Sequence, residues 1–146
     1  TRHKHGGIFA LQPPNPNNQS QARIIWNYHG PSPDASTPLY YLNRLYILNG
    51  IKQGKVVTCL EPKTGREIWQ GTIGGRGPWR ASLTGADGKL YCINETGKIV
   101  VLDAGGDEFK IIFQTKIDEP PIQSSIAIAN GRLFIRTAQN LYCIGK

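Results

Sequence analysis

The stretch Cys59-Leu60-Glu61-Pro62-Lys63-Thr64-Gly65-Arg66-Glu67-Ile68-Trp69-Gln70-Gly71 decides the fold. It reads as a strand, a tight turn and a second strand that carries a tryptophan. Gly65 can supply the positive φ that a tight hairpin requires. An acid before the turn, Glu61 here and Asp103 further on, is placed to accept hydrogen bonds from the backbone N–H groups of the turn. Weaker versions of the phrase occur twice more, and their aromatics, Trp26, Trp69 and Phe113, stand 43 and 44 residues apart. "STPLYYLNRLYILNG" from Ser36, "RASLTGADGKLYCINE" from Arg80 and "SSIAIANGRLFIRTA" from Ser124 align with one another at a spacing of 44 residues. Self-similarity at such a period marks an array of supersecondary units.

Working outward from this phrase, short runs that alternate apolar and polar residues recur between Gly, Asn, Asp and Pro, and helical periodicity is nearly absent. The chain is therefore expected to be all-β. Each unit holds four strands: an opening one such as Leu39 to Leu42, then "LYILN", "VVTCL" and "EIWQG". Four short strands with their turns use up the repeat, which is the size of one blade of a β-propeller. The expectation is a propeller fragment of about three to three and a half four-stranded antiparallel blades. Residues 1–30 would form a half blade holding the third and fourth strands, 36–73 and 80–117 full blades, and 124–146 a three-stranded last blade. Trp69 would lie between neighbouring blades as an apolar wedge. A fragment of this kind leaves broad faces and strand edges open. It is expected to need the remaining blades of its ring or to self-associate through those edges.

The 146 residues carry a formal charge of +7. The basic residues are mostly single, at turns and strand ends (Lys52, Lys55, Lys63, Arg66, Lys89, Lys98, Lys110, Lys116), where they keep a β-rich surface soluble; only "TRHKH" at the start is a cluster. No basic stripe interleaved with aromatics appears, so no nucleic-acid partner is expected. No apolar run approaches the length of a spanning helix and no signal peptide is visible. The chain contains no methionine, and it is expected to be a mature or excised piece of something longer.

Cys59, Cys92 and Cys143 show no metal-ligand spacing. They fall at third-strand and second-strand positions that take small apolar residues, and are expected to behave as buried hydrophobes. His3 and His5 form an HxH pair that would share one face of a strand, but no third ligand is identifiable. His29, beside Gly30 and Pro31, reads as a turn residue. No metal or cofactor is expected, and no nucleophile triad, HExxH, P-loop or dinucleotide fingerprint occurs. "GTIGGRGPWR" (Gly71 to Arg80) does not open a helix, so it reads as a connection between blades. Arg76, Trp79 and Arg80 within it are candidate partner-binding residues, since Trp and Arg are enriched at binding hot spots. The alternative is that Trp79 packs on the neighbouring blade and Arg80 satisfies carbonyls.

The phrase Cys59-x-Glu61-x-x-Thr64-Gly65-x-x-x-Trp69 resembles the tryptophan-docking motif of pyrroloquinoline-quinone (PQQ)-type propeller repeats. Cys59 stands for the small residue and Glu61 for the acid. The second copy keeps Asp103 and replaces tryptophan by Phe113; the first keeps Ala10 and Trp26 around the insertion "PPNPNNQSQ". The resemblance implies the C-terminal blades of a propeller and a periplasmic or otherwise extracytoplasmic location. It also implies a non-enzymatic protein-binding scaffold, similar in type to the propeller lipoprotein that assists outer-membrane β-barrel assembly. The alternative it implies is a quinoprotein dehydrogenase or other propeller enzyme whose site lies in blades not contained here. Such dehydrogenases use a pair of adjacent cysteines, and none occurs in this chain.

Overall fold

The computed structural model describes residues 7–15, 17, 21–50 and 54–145. The His3 and His5 pair, the basic leader, Lys52 and part of the Pro13–Gln21 insertion lie outside these residues. No helix occurs among the described residues, and thirteen strands form four antiparallel sheets. The first sheet pairs β1 (Ile8–Gln12) with β2 (Arg23–Tyr28). The second runs in chain order through β3 (Leu39–Tyr41), β4 (Arg44–Asn49), β5 (Val56–Leu60) and β6 (Glu67–Thr72). The third repeats this with β7 (Thr84–Ala86), β8 (Lys89–Ile93), β9 (Lys98–Asp103) and β10 (Ile111–Lys116). The fourth has three strands, β11 (Ala127–Ala129), β12 (Arg132–Arg136) and β13 (Leu141–Ile144). This is an all-β propeller fragment, and its sheets are the blades.

Local chemistry accounts for the first hairpin of the second, third and fourth blades. Leu42-Asn43, Asp87-Gly88 and Asn130-Gly131 are two-residue turns with positive φ at both positions. That geometry matches the twist of the flanking strands and favours Asn-Gly and Asp-Gly. Leu42 takes it at φ 49° without the help of a glycine, so the first strand stops at Tyr41 rather than at Leu42.

The strand register corrects the spacing of the repeat. Arg44, Lys89 and Arg132 open the second strands and lie 45 and 43 residues apart, so Ala81 rather than Arg80 is the equivalent of Ser36 and Ser124. Hydrogen bonds agree with this register. Ser36 Oγ donates to the Leu48 carbonyl at 2.7 Å and Ser124 Oγ to the Arg136 carbonyl at 2.8 Å. The distinction matters because a one-residue slip in a strand exchanges its two faces.

The core lies between sheets. One cluster joins the second and third blades through Tyr46, Leu48, Val57, Cys59, Trp69, Leu90, Val100 and Leu102; a smaller one joins the third and fourth through Ile93, Ile99, Ile122, Ile126 and Ile135. All of β5 is buried, as are the four middle residues of β9. Covered by a sheet on either side, these strands lose the apolar–polar alternation of a half-exposed strand.

Blades are also stitched by directed contacts. The Trp26 indole N–H donates to the Pro62 carbonyl at 2.8 Å, and the Trp69 N–H to the Gly106 carbonyl at 3.2 Å. Each indole thus reaches the turn between third and fourth strands of the next blade. A methyl group at Gly65 would fall 2.5 Å from the Trp26 ring, so this glycine is required both by its φ of 72° and by the indole lying on it. Trp69 meets Phe109 edge-on at 5.7 Å between ring centroids. The Tyr46 hydroxyl donates to the Ala104 carbonyl at 2.6 Å. The Thr37 N–H donates to Ser82 Oγ, and the Ser82 N–H to Ser125 Oγ, both at 2.9 Å.

Three expectations about single residues change. The Asp103 carboxylate does accept a turn N–H, that of Gly105 at 3.0 Å, but Glu61 accepts the Thr64 hydroxyl at 2.6 Å while its backbone closes the turn. Phe113 is 57% exposed where Trp69 is 6% exposed. The platform that would receive it is a turn after the third strand of the following blade, and none lies among the described residues. Cys143 is exposed for the same reason, since no outer strand lies beside β13 among the described residues, whereas Cys59 and Cys92 are buried.

The difference between the two aromatics should be measurable. Trp69→Ala is expected to cost about 3–5 kcal/mol, the usual loss for a buried ring, and Phe113→Ala no more than about 0.5 kcal/mol in this chain. Denaturant melts of the two variants check this, and equal losses would contradict the packing described.

Candidate functional site

The connection from β6 to β7 crosses one face of the molecule, and its course follows from its composition. Gly74, Gly75 and Gly77 all have positive φ, which lets the chain turn repeatedly in a few residues. The loop is pinned from below. Asn94 is fully buried, and its amide donates to the Arg76 carbonyl at 2.7 Å; the Thr96 hydroxyl lies 3.0 Å from the same oxygen. The Asn94 side-chain carbonyl accepts the N–H groups of Thr96 at 3.1 Å and Lys98 at 2.8 Å, closing the turn between β8 and β9. Lys98 Nζ donates to the Ile73 carbonyl at 2.9 Å.

This framework separates the three candidate residues of the connection. Trp79 is 1% exposed; its indole donates to the Gly74 carbonyl at 2.9 Å, and its backbone N–H donates to the Gly50 carbonyl at 3.0 Å. It packs between blades and is not presented to a partner. Arg80 is exposed and forms an ion pair with Glu95. Arg76 is exposed, with its carbonyl held and no side-chain partner among the described residues. His29 is exposed in the loop after β2.

Beside Arg76 the surface opens into a groove of about 640 Å³ lined by Arg76, Thr96, Lys98, Gln114, Thr115 and Lys116. Sequence reading missed five of these, the two lysines because they look like scattered strand-end charges. Pairing of β9 with β10 sets Lys98 directly opposite Lys116, and the interblade connection then adds Arg76. The signal available in the sequence was a lysine at the start of one strand and another at the end of its hairpin partner.

Two of the three cysteines are buried and held as thiols. Burial pushes the Cys92 thiol up to about 12. Burial also raises Cys59, against the opposing pull of Arg44. A thiol held protonated is a poor nucleophile and behaves as a small apolar group. Among the described residues no group of three or more His, Cys, Asp or Glu converges as metal ligands would.

Residues 52–144 match the family model described as outer membrane protein assembly factor BamB. Among solved structures, the chain is similar to BamB from Moraxella catarrhalis, with a TM-score of 0.64 and 17% identity over 97% of this chain and 44% of that one. It thus spans less than half the length of that protein. It is similar in fold to a europium-containing methanol dehydrogenase, with a TM-score of 0.57 and 11% identity over 75% of this chain and 21% of that one. A computationally designed protein, Ika4, also resembles it, with a TM-score of 0.64 and 14% identity over 84% of this chain and 74% of that one. Comparison with curated proteins gives no match.

Substitution separates packing from surface in this connection. Trp79→Ala is expected to destabilise the chain by about 3–5 kcal/mol, whereas Arg76→Ala should change stability by no more than about 0.5 kcal/mol. Thermal melts of both variants give the check.

Proposed function

We propose, from the premise that this chain belongs to the PQQ-type repeat family of the outer membrane protein assembly factor BamB, that it is part of a non-enzymatic binding scaffold. The scaffold works outside the cytoplasm, in the periplasm, and assists the assembly of outer-membrane proteins by holding polypeptide. The family match over residues 52–144 carries this reading. The likeness to a methanol dehydrogenase is one of fold, and propeller folds host unrelated activities.

The surface supplies what polypeptide binding needs. Among the described residues β10 pairs with β9 on one side only, and all six of its residues are exposed, Ile111, Ile112 and Phe113 among them. An extended segment added to such an edge gains main-chain hydrogen bonds, with side chains on alternate positions supplying selectivity. Arg76 and Arg80, on the connection between the second and third blades, are proposed as partner contacts beside it. Tryptophan docking is proposed as the device that holds the ring together, Trp26 and Trp69 being its two examples here.

Disrupting the gene in its host should lower the amounts of outer-membrane β-barrel proteins, read by quantitative proteomics of the membrane fraction, and unchanged amounts would remove the proposal. Adding PQQ and calcium to the complete protein should leave its absorbance and melting temperature unchanged. A quinone absorbance band would replace the scaffold with a quinoprotein.

A further inference from the structure

We propose that the groove lined by Arg76, Lys98 and Lys116 takes the carboxylates of an extended acidic segment of a protein partner. The inference rests on the scaffold reading and specifies the chemistry of what the scaffold holds.

Lys98 and Lys116 are register partners at the ends of β9 and β10. Like charges directly opposite each other on a hairpin destabilise it, and Arg76 adds a third positive charge from the preceding connection. None of the six residues that line the groove is acidic. The neighbouring acids are engaged: Glu95 pairs with Arg80, and Asp118 pairs with Lys116 where solvent screens both groups. Lys98 uses one N–H on the Ile73 carbonyl, which leaves two donors for a ligand. The Arg76 guanidinium has no partner among the described residues, while its backbone is fixed by Asn94 and Thr96. The Lys98 ammonium and the Arg76 backbone are therefore held in place before a ligand arrives, which lowers the entropic cost of binding.

Size and position select a polypeptide over a small anion. A volume of about 640 Å³ far exceeds what one phosphate fills, and Thr96, Gln114 and Thr115 complete the lining. Gln114, Thr115 and Lys116 belong to β10, whose outer edge is open. A strand laid along that edge would run beside Gln114, Thr115 and Lys116, the groove residues that β10 supplies.

The test uses the complete protein and a fluorescent hexaglutamate peptide, with hexaglutamine and inorganic phosphate as comparisons. Arg76→Glu/Lys116→Glu changes two exposed groove residues. Arg132→Glu/Arg136→Glu changes two exposed residues of β12 by the same net charge. Anisotropy titrations should show hexaglutamate binding that weakens at least about tenfold in the groove variant, as when one side of a charge pair is reversed, and stays near its original strength in the β12 variant. Hexaglutamine should not bind, and phosphate should displace the peptide only at far higher concentration.

Equal losses in both variants would reduce the effect to net charge and overturn the proposal. So would full binding in the groove variant, or displacement by phosphate as effective as by unlabelled hexaglutamate. The two readings separate in cells. Outer-membrane proteins fully restored by the groove variant in a disrupted strain would keep the scaffold and overturn the groove as its partner site. Unchanged levels after disruption would remove the scaffold, and the peptide titration would then still uphold or overturn the groove by itself.

Discussion

Every blade of this molecule has two faces to cover, and only a neighbouring blade can cover them. The rest of the structure depends on that constraint. The middle strands β5 and β9 are buried on both sides because a sheet lies against each face. β10, like the exposed apolar residues of the first sheet, shows what happens where a neighbour is absent from the described residues. Burial between sheets is the main favourable term, and its cost is that stability belongs to the stack rather than to any one sheet.

Non-directional burial would permit sheets to slide, and the directed contacts remove that freedom. Trp26 and Trp69 place an indole N–H on a carbonyl of the next blade, 36 and 37 residues further along the chain. Tyr46 does the same to Ala104, and Thr37 and Ser82 reach hydroxyls of the following blade. Such polar contacts contribute modestly to stability and strongly to register, because a buried donor left without its acceptor is costly. The same logic fixes the connection over the face of the second and third blades. Asn94, buried and bonded to the Arg76 carbonyl, holds the loop that presents Arg76. A rigid scaffold beneath a glycine-rich loop is a common way to place a binding residue on an otherwise structural surface.

Much of the fold was legible along the chain, because a hairpin of two short strands needs only local signals. Asn130-Gly131 and Asp87-Gly88 mark their turns outright, and Thr64-Gly65 marks the turn that receives Trp26. The one-residue slip in the spacing of the repeat has an equally local origin. Arg80 and Ala81 are both plausible equivalents of Ser36 by composition, and only pairing of β7 with β8 distinguishes them. Trp79 illustrates the limit for sites. Its residue type suits a hot spot or a core wedge alike, and only its neighbours, Gly74 and Gly50, make it the second.

The sequence by itself determined the class of the fold, the four-stranded unit, the aromatic at its end and the residues of its tight turns. These are properties of neighbours along the chain, set by backbone sterics and by alternation of apolar side chains. Tertiary structure alone decided which equivalent positions are buried, so that Trp69 is enclosed while Phe113 and Cys143 are not. It also decided that Lys98, Lys116 and Arg76 share one groove. Charges this far apart in sequence meet only through strand pairing and the stacking of blades, and no local pattern encodes a distance between them.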